Sequence, residues 1–255
     1  MSELKLAVKV ARKAGKYLLE NFEKHPKLVK ERGLAKEIVT KYDKVSDRMI
    51  REELIKKYPY NLLTEESGFT DMNSERIWVV DSLDGSSNFA VGNPFFSVSI
   101  ALTEKGKIVL GVIYAPFLKE LYTVVRGKGA FLNGKRIHIS EVKELRRAYL
   151  LSCEGGEKTN KRIAKINSLL HPKVKDMRKL GSGAIEGGFV ASGRADAYIT
   201  TKIYPWDIAS AVLLVEEAGG KVTNFQGEEW NLKQSDLILS NGKIHDKILS
   251  RIKSI

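Results

Sequence analysis

A chain of 255 residues, 43% hydrophobic and 29% charged, carries enough apolar material to bury a substantial core, as one large domain or two intimate lobes, which excludes a disordered or fibrous protein. Its one cysteine, Cys153, excludes an intrachain disulfide framework and fits a reducing compartment. Lys and Arg total 43 against 31 Asp and Glu, so the formal charge of +12 should attract anions.

The amino terminus, Met1-Ser2-Glu3-Leu4-Lys5, becomes charged too early for a secretory leader, and no apolar run approaches a membrane span, so a cytoplasmic location is expected. Leu4, Ala7, Val8, Ala11, Ala14, Leu18 and Phe22 recur at helical spacing and predict an amphipathic first helix. A basic stretch follows, and its segment from Lys30 to Glu37, with Arg32 and Lys36, is a candidate lid. Ile38-Val39-Thr40 then leads into a second helical pattern from Asp43 to Ile55, stopped before Pro59. Strands are predicted over 96–102, 108–114, 121–125 and 131–139. Turns at Glu104-Lys105-Gly106-Lys107, Ala115-Pro116 and Asn133-Gly134 separate them and imply antiparallel pairing. Beyond these come a strand at 149–152, helices at 159–169 and 184–192 and a strand at 197–200. A helix at 207–218, strands at 221–225 and 237–240 and a terminal helix complete the chain. Such alternation argues for a layered α/β protein.

Chemistry concentrates where the strand-like run Ile77-Trp78-Val79-Val80 ends in Asp81-Ser82-Leu83-Asp84-Gly85-Ser86-Ser87-Asn88. Two carboxylates and a carbonyl at a strand end suit a hard cation, while Gly85 and the hydroxyls behind it suit phosphate oxygens. The plainer alternative is a polar turn, since Asp, Gly, Ser and Asn favour turns for local backbone reasons. Two further acidic positions at element boundaries weigh against that alternative: Thr64-Glu65-Glu66-Ser67 after Leu62-Leu63, and Trp206-Asp207 opening an apolar helical segment.

These motifs resemble the inositol monophosphatase family over nearly the whole chain. The family pattern D-P-[I/L]-D-G-T-x-N is matched by Asp81, Leu83, Asp84, Gly85 and Asn88, with Ser82 in place of proline and Ser86 in place of threonine. W-D-x-A followed by E-A-G-G is matched by Trp206-Asp207-Ile208-Ala209 and Glu217-Ala218-Gly219-Gly220. The G-E-E-S and V-T-x-x-D elements appear as Thr64-Glu65-Glu66-Ser67 and Val39-Thr40-Lys41-Tyr42-Asp43.

The resemblance implies an αβαβα five-layer sandwich in one catalytic domain, with lobes of roughly residues 1–145 and 146–255, and a lithium-sensitive, homodimeric enzyme. It implies a Mg2+-dependent phosphatase acting on inositol monophosphate and fructose 1,6-bisphosphate through a metal-activated water. One ion would use Glu65, Asp81 and the Leu83 carbonyl, a second Asp81, Asp84 and Asp207, with a weaker third beside Glu65 and Glu66. Ser86 would orient the water with Asp43 behind it, and N–H groups at Gly85 and Ser86, beside Ser87, would hold phosphate. Gly181, Ser182 and Gly183 would contact substrate by the same resemblance. Their glycine-rich turn opens a helix, but its third glycine comes one residue late for a dinucleotide loop.

Oxygen donors without histidine or thiolate agree with magnesium. Four carboxylates in one cleft are unfavourable without cations, since two at about 4 Å repel by roughly 4 kcal/mol at an effective dielectric near 20. Other phosphatase chemistries find no support. Thr159 stands six positions after Cys153 where a cysteine phosphatase needs arginine, His25, His138, His171 and His245 are scattered, and Asp81 and Asp84 are spaced unlike an aspartyl-phosphate pair. Thr200 occupies the place of an inositol-binding glutamate, which puts strict inositol specificity in doubt, and Arg178, Lys179, Arg194 and Lys202 are candidates for a second phosphate. A nucleotide 2′- or 3′-phosphatase on the same fold is an alternative, as is a noncatalytic phosphate- or RNA-binding protein. The basic residues are spread out and lack interleaved aromatics, so a nucleic-acid partner is not expected. Two glutamines, Gln226 and Gln234, beside so many charges hint at a thermophile.

Overall fold

The computed structural model describes residues 2–22, 28–32, 37–154, 157–253 and 255. Helix α1 (Glu3–Asn21) starts where the Ser2 hydroxyl accepts the Lys5 N–H at 3.4 Å, and it buries the stripe Leu6, Ala7, Val10, Ala11, Ala14 and Leu18. Strands β1 (Leu28–Arg32) and β2 (Glu37–Thr40) pair antiparallel as a two-stranded ribbon. Part of the expected basic lid is therefore strand, Arg32 included, while residues 33–36, with Lys36, lie outside the described residues. Helix α2 (Lys41–Lys57) follows directly.

The larger sheet contains β3 (Asn61–Thr64), β4 (Gly68–Thr70), β5 (Arg76–Asp84), β6 (Ser97–Glu104), β7 (Lys107–Ala115), β8 (Glu120–Val125), β9 (Gly129–Leu132) and β10 (Lys135–Arg136). Its order is β10-β9-β8-β7-β6-β5-β3-β4, and the run from β5 to β10 is antiparallel, as the turns imply. The expected strand over 131–139 is instead split. Asn133 and Gly134 adopt positive φ angles of 49° and 79°, and this left-handed pair folds β10 back on β9.

The second sheet holds β11 (Tyr149–Glu154), β12 (Asp176–Arg178), β13 (Ala197–Thr201), β14 (Lys221–Thr223) and β15 (Asp236–Ser240) in the order β12-β11-β13-β15-β14. Around the sheets lie α3 (Ser86–Ala90), α4 (Glu157–Leu170), α5 (Gly183–Ala191), α6 (Pro205–Glu217) and α7 (His245–Ile252).

Three apolar cores stack these elements into five layers. Residues of α1 and α2 pack on one face of the larger sheet, α5 and α6 fill the space between the sheets, and α4 and α7 cover the far side of the second sheet. Strand β5 is buried on both faces, which explains its unbroken apolar run. Trp78 and Val80 face α1 and α2, whereas Ile77 and Val79 face α5 and α6. The middle layer is thin because small residues let backbones touch. A Cβ on Gly187 would lie 2.3 Å from Ala211 Cβ, and one on Gly111 would lie 2.9 Å from Ser210 Cα. Among the described residues no helix is long and apolar enough to cross a membrane.

Candidate active site

A strand places residues three apart on opposite faces, so Asp81 and Asp84 should point away from each other. A bulge prevents this. Asp81 pairs with Ser99 and Asp84 with Ser97, so three steps on β5 match two on β6. The inserted residue resets the alternation and turns both acids toward the α5 and α6 layer, where Ser99 Oγ also donates to Ser210 Oγ of α6 at 3.1 Å.

Asp84 is buried and docks on the first turn of α5. Its Oδ1 accepts the Gly183 N–H at 3.1 Å, and its Oδ2 accepts the Ala184 N–H at 3.0 Å, the Ser97 hydroxyl at 3.0 Å and the Ser182 hydroxyl. Burial nevertheless raises its pKa to about 6, against the lowering effect of these bonds. Asp81 takes the Leu83 N–H at 3.0 Å through Oδ1. Burial first, then the charges of Glu65, Asp84 and Asp207, hold its pKa well above the ordinary carboxylate range. These influences place all four carboxylates in one neighbourhood.

Glu65 and Glu66 sit in the turn between β3 and β4. Thr64 Oγ1 accepts the Ser67 N–H at 3.0 Å, and Ser67 donates to Asp47 of α2 at 2.6 Å, which fixes that turn against the helix. Asp43, in the first turn of α2, is buried, and its carbonyl accepts the Ser82 hydroxyl at 3.1 Å. Asp207 occupies the first turn of α6, with Oδ2 accepting the Tyr204 N–H at 3.0 Å. Gly85 adopts φ +85°, and a Cβ there would stand 2.6 Å from the Phe95 carbonyl, so glycine is needed for both reasons. Ser86 and Ser87 follow it at the start of α3.

The loop opposite is tied on by Asn88, whose Nδ2 donates to Phe95 O at 2.7 Å, Leu180 O at 2.8 Å and Gly181 O at 3.2 Å. Gly181, Ser182 and Gly183 thus border the carboxylates, but the Ser182 hydroxyl and the Gly183 N–H serve Asp84 rather than standing open to an anion. Thr200 is buried on β13, on the same face as Tyr198, and Lys202 follows the strand half-buried. Arg178 lies exposed at the end of β12, bonded to Asp176 and to the Met177 carbonyl.

Arg194 requires correction. It lies beyond the last turn of α5, about 13 Å of helix from the end that meets Asp84. There it forms a two-pronged pair with Glu120 at 2.8 Å and stacks on Phe189 at 3.8 Å, so it belongs to the packing of β8 on α5.

Sequence reading missed several contributors. Ser97 has a role only tertiary contacts reveal, as does Asn88, named in the motif but without a task, and Glu186 lies in plain view as a lone acid in the apolar helix Gly183–Ala191. Glu186 is fully buried, and its Oε1 accepts the Leu180 N–H at 2.8 Å. Burial raises its pKa to about 8. At the far end of α6, away from the carboxylates, lies a cavity of about 400 Å³ bordered by Lys107, Arg126, Glu216 and Trp230.

Among the described residues no three acidic, histidine or cysteine groups already converge on a point where a metal could sit. Asp81, Asp84 and Asp207 each rest instead on a backbone N–H. The donor set, all oxygen and burdened by uncompensated repulsion at Asp81, fits a hard divalent cation.

Known proteins resemble the chain along nearly its whole length. A fructose-1,6-bisphosphatase/inositol-1-monophosphatase of Thermotoga maritima is 37% identical, covering 100% of this chain and 97% of that protein. A Nus factor SuhB of Pasteurella multocida is 36% identical over 98% of this chain and 95% of its own. A solved IMPase structure from Thermotoga maritima superposes with a TM-score of 0.92 at 36% identity, covering 100% of this chain and 98% of that one. The sequence profile of the Inositol monophosphatase family matches residues 2–255, and the chain belongs to that family.

Proposed function

We propose that this chain is a Mg2+-dependent phosphate monoester hydrolase acting on inositol monophosphate and on fructose 1,6-bisphosphate. The observation that carries the reading is Asp81, fully buried, with burial and the charges of Glu65, Asp84 and Asp207 holding its pKa well above the ordinary carboxylate range. A structural role would leave such repulsion as pure cost. The Thermotoga maritima relative is named for both activities.

Glu65, Asp81, Asp84, Asp207 and the Leu83 carbonyl would hold Mg2+, which supplies charge to offset these carboxylates and Lewis acidity toward water and phosphate. The protein does the positioning. The Gly85 turn presents N–H groups of Gly85 and Ser86 to the phosphate. Ser86 orients the attacking water, with Asp43 as the acceptor behind it, and water enters in line with the departing alkoxide. Asp84, braced by four donors, keeps its place as charge changes around it. Next to the leaving group lie Gly181, Ser182, Thr200 and Lys202, with Arg178 at the margin.

The test is phosphate release, with and without Mg2+, from inositol 1-phosphate, fructose 1,6-bisphosphate, NADP and phosphoadenosine phosphate, with Asp84→Asn as control. Mg2+-dependent release lost in the variant supports the enzyme, and a preference for the two nucleotides would move the reading to a nucleotide phosphatase. The Pasteurella multocida relative is named a Nus factor rather than a phosphatase, which leaves room for a second reading, a noncatalytic phosphate- or RNA-binding protein. RNA binding that survives in Asp84→Asn, with no release from any substrate, would select it.

A further inference from the structure

Tyr204 and Trp206 flank Pro205 at the start of α6, and their rings stack nearly parallel, 9° apart with centroids at 4.9 Å. Trp206 packs inward against the core between the sheets. Tyr204 is 39% exposed, a large aromatic surface left toward solvent. The pair is not remote from the chemistry, because the Tyr204 N–H is the 3.0 Å partner of Asp207 Oδ2. The neighbouring Ile203 and the Asp207 carbonyl border the first turn of α5, within 3.5 Å of where a Gly183 Cβ would stand.

Resting on the phosphatase reading, we propose that Tyr204, backed by Trp206, is a shelf that favours substrates in which a cyclitol or sugar ring lies one ester oxygen, or one further methylene, from phosphorus over acyclic phosphate esters. The C–H face of a cyclitol or sugar ring is apolar, and an aromatic face removes it from water while its hydroxyl rim stays hydrated. Reach sets the contact at the ring nearest phosphorus. The Tyr204 backbone lies one hydrogen bond from a proposed metal ligand, close enough for its side chain to meet such a ring, whereas a base held beyond a ribose extends past it. Stacking on Trp206 leaves Tyr204 little freedom to lose on binding, which makes the shelf preorganised.

The test compares kcat/KM for inositol 1-phosphate, acyclic glycerol 2-phosphate and adenosine 2′-phosphate in the wild type, Tyr204→Ala and Tyr204→Phe at saturating Mg2+. The expected result is a five- to tenfold fall in the ring-to-acyclic ratio in Tyr204→Ala, carried by KM, with Tyr204→Phe restoring the ratio. An unchanged ratio overturns the proposal, as does a loss confined to adenosine 2′-phosphate. Should the wild type release phosphate from none of these, the phosphatase reading fails by itself. The shelf is then judged by calorimetric binding of inositol 1-phosphate, which Tyr204→Ala must weaken by the same factor or the proposal falls.

Discussion

Ser46 Oγ donates to the Ser82 carbonyl at 2.8 Å while Ser82 Oγ donates to the Asp43 carbonyl at 3.1 Å, so α2 and the end of β5 are stapled in both directions. Ser82, which stands where the family has proline, thereby places Asp43 against the strand that carries Asp81. Ser46→Ala leaves the Ser82 carbonyl buried without that donor and should cost about 1–2 kcal/mol. The cost appears as a lower urea midpoint at unchanged m-value. Because Asp43 shifts with α2, kcat should fall more than KM rises.

Asn88 joins two loops through one amide nitrogen, which reaches Phe95 in one and Leu180 and Gly181 in the other. Asn88→Ala strips donors from the Phe95, Leu180 and Gly181 carbonyls together, and about 2–3 kcal/mol should be lost. Amide exchange should quicken at residues 180–184 before it does in β6. Equal protection in variant and wild type would show that the loops hold without the asparagine.

Asp81→Asn should act in opposite directions on stability and on metal response. Removing a buried charge that faces three others should raise the melting temperature of the metal-free protein by a few degrees. In the wild type, Mg2+ should raise it further, and that increment should vanish in the variant along with phosphate release. A variant that melts below the metal-free wild type would contradict this account.

Acid lability should trace to His245. It is buried, with Nε2 at 2.8 Å from Thr223 Oγ1 and Nδ1 at 2.8 Å from Ser240 Oγ. Thr223 spends its proton on the Asn224 carbonyl, so the ring donates from Nε2 and accepts at Nδ1. Burial lowers its pKa from 6.5 to about 4, with Lys221 adding to the effect. The unfolded chain therefore binds the proton first. The associated stability is complete above about pH 6.5 and is lost as pH falls toward about 4, by up to about 3 kcal/mol. His245→Asn should flatten the pH dependence across that window, as followed by thermal melts at several pH values.

How far the sequence reaches is set by which interactions are local. Helix α1 is legible because seven apolar residues from Leu4 to Phe22 mark one face, and the antiparallel run is legible because turn residues punctuate it. Strand β12 is not, since three residues, Asp176–Arg178, carry no period and owe their conformation to pairing with β11. The acids of the site stand out in sequence, but their common facing does not, because a bulge leaves no residue signature at Asp81 to Asp84. Arg194 was an equal candidate with Arg178 on charge alone. Its partner, Glu120, lies 74 residues away in the chain, beyond the reach of any local pattern.

One extra residue in β5 has a consequence for how this protein tolerates length changes. Elsewhere in the larger sheet, a turn such as Glu104-Lys105-Gly106-Lys107 can lengthen or shorten at the surface without changing which side of a strand faces inward. Between Asp81 and Asp84 a single codon lost would restore a regular ladder, a better sheet by any measure of backbone pairing. The two acids, now two residues apart, would still share a face, but Ser82 or Leu83 would be gone, and with it the bond to the Asp43 carbonyl or a buried contact with the α1 and α2 layer. The shorter protein would keep its facing acids on a flawless strand and loosen its grip on the helices behind them.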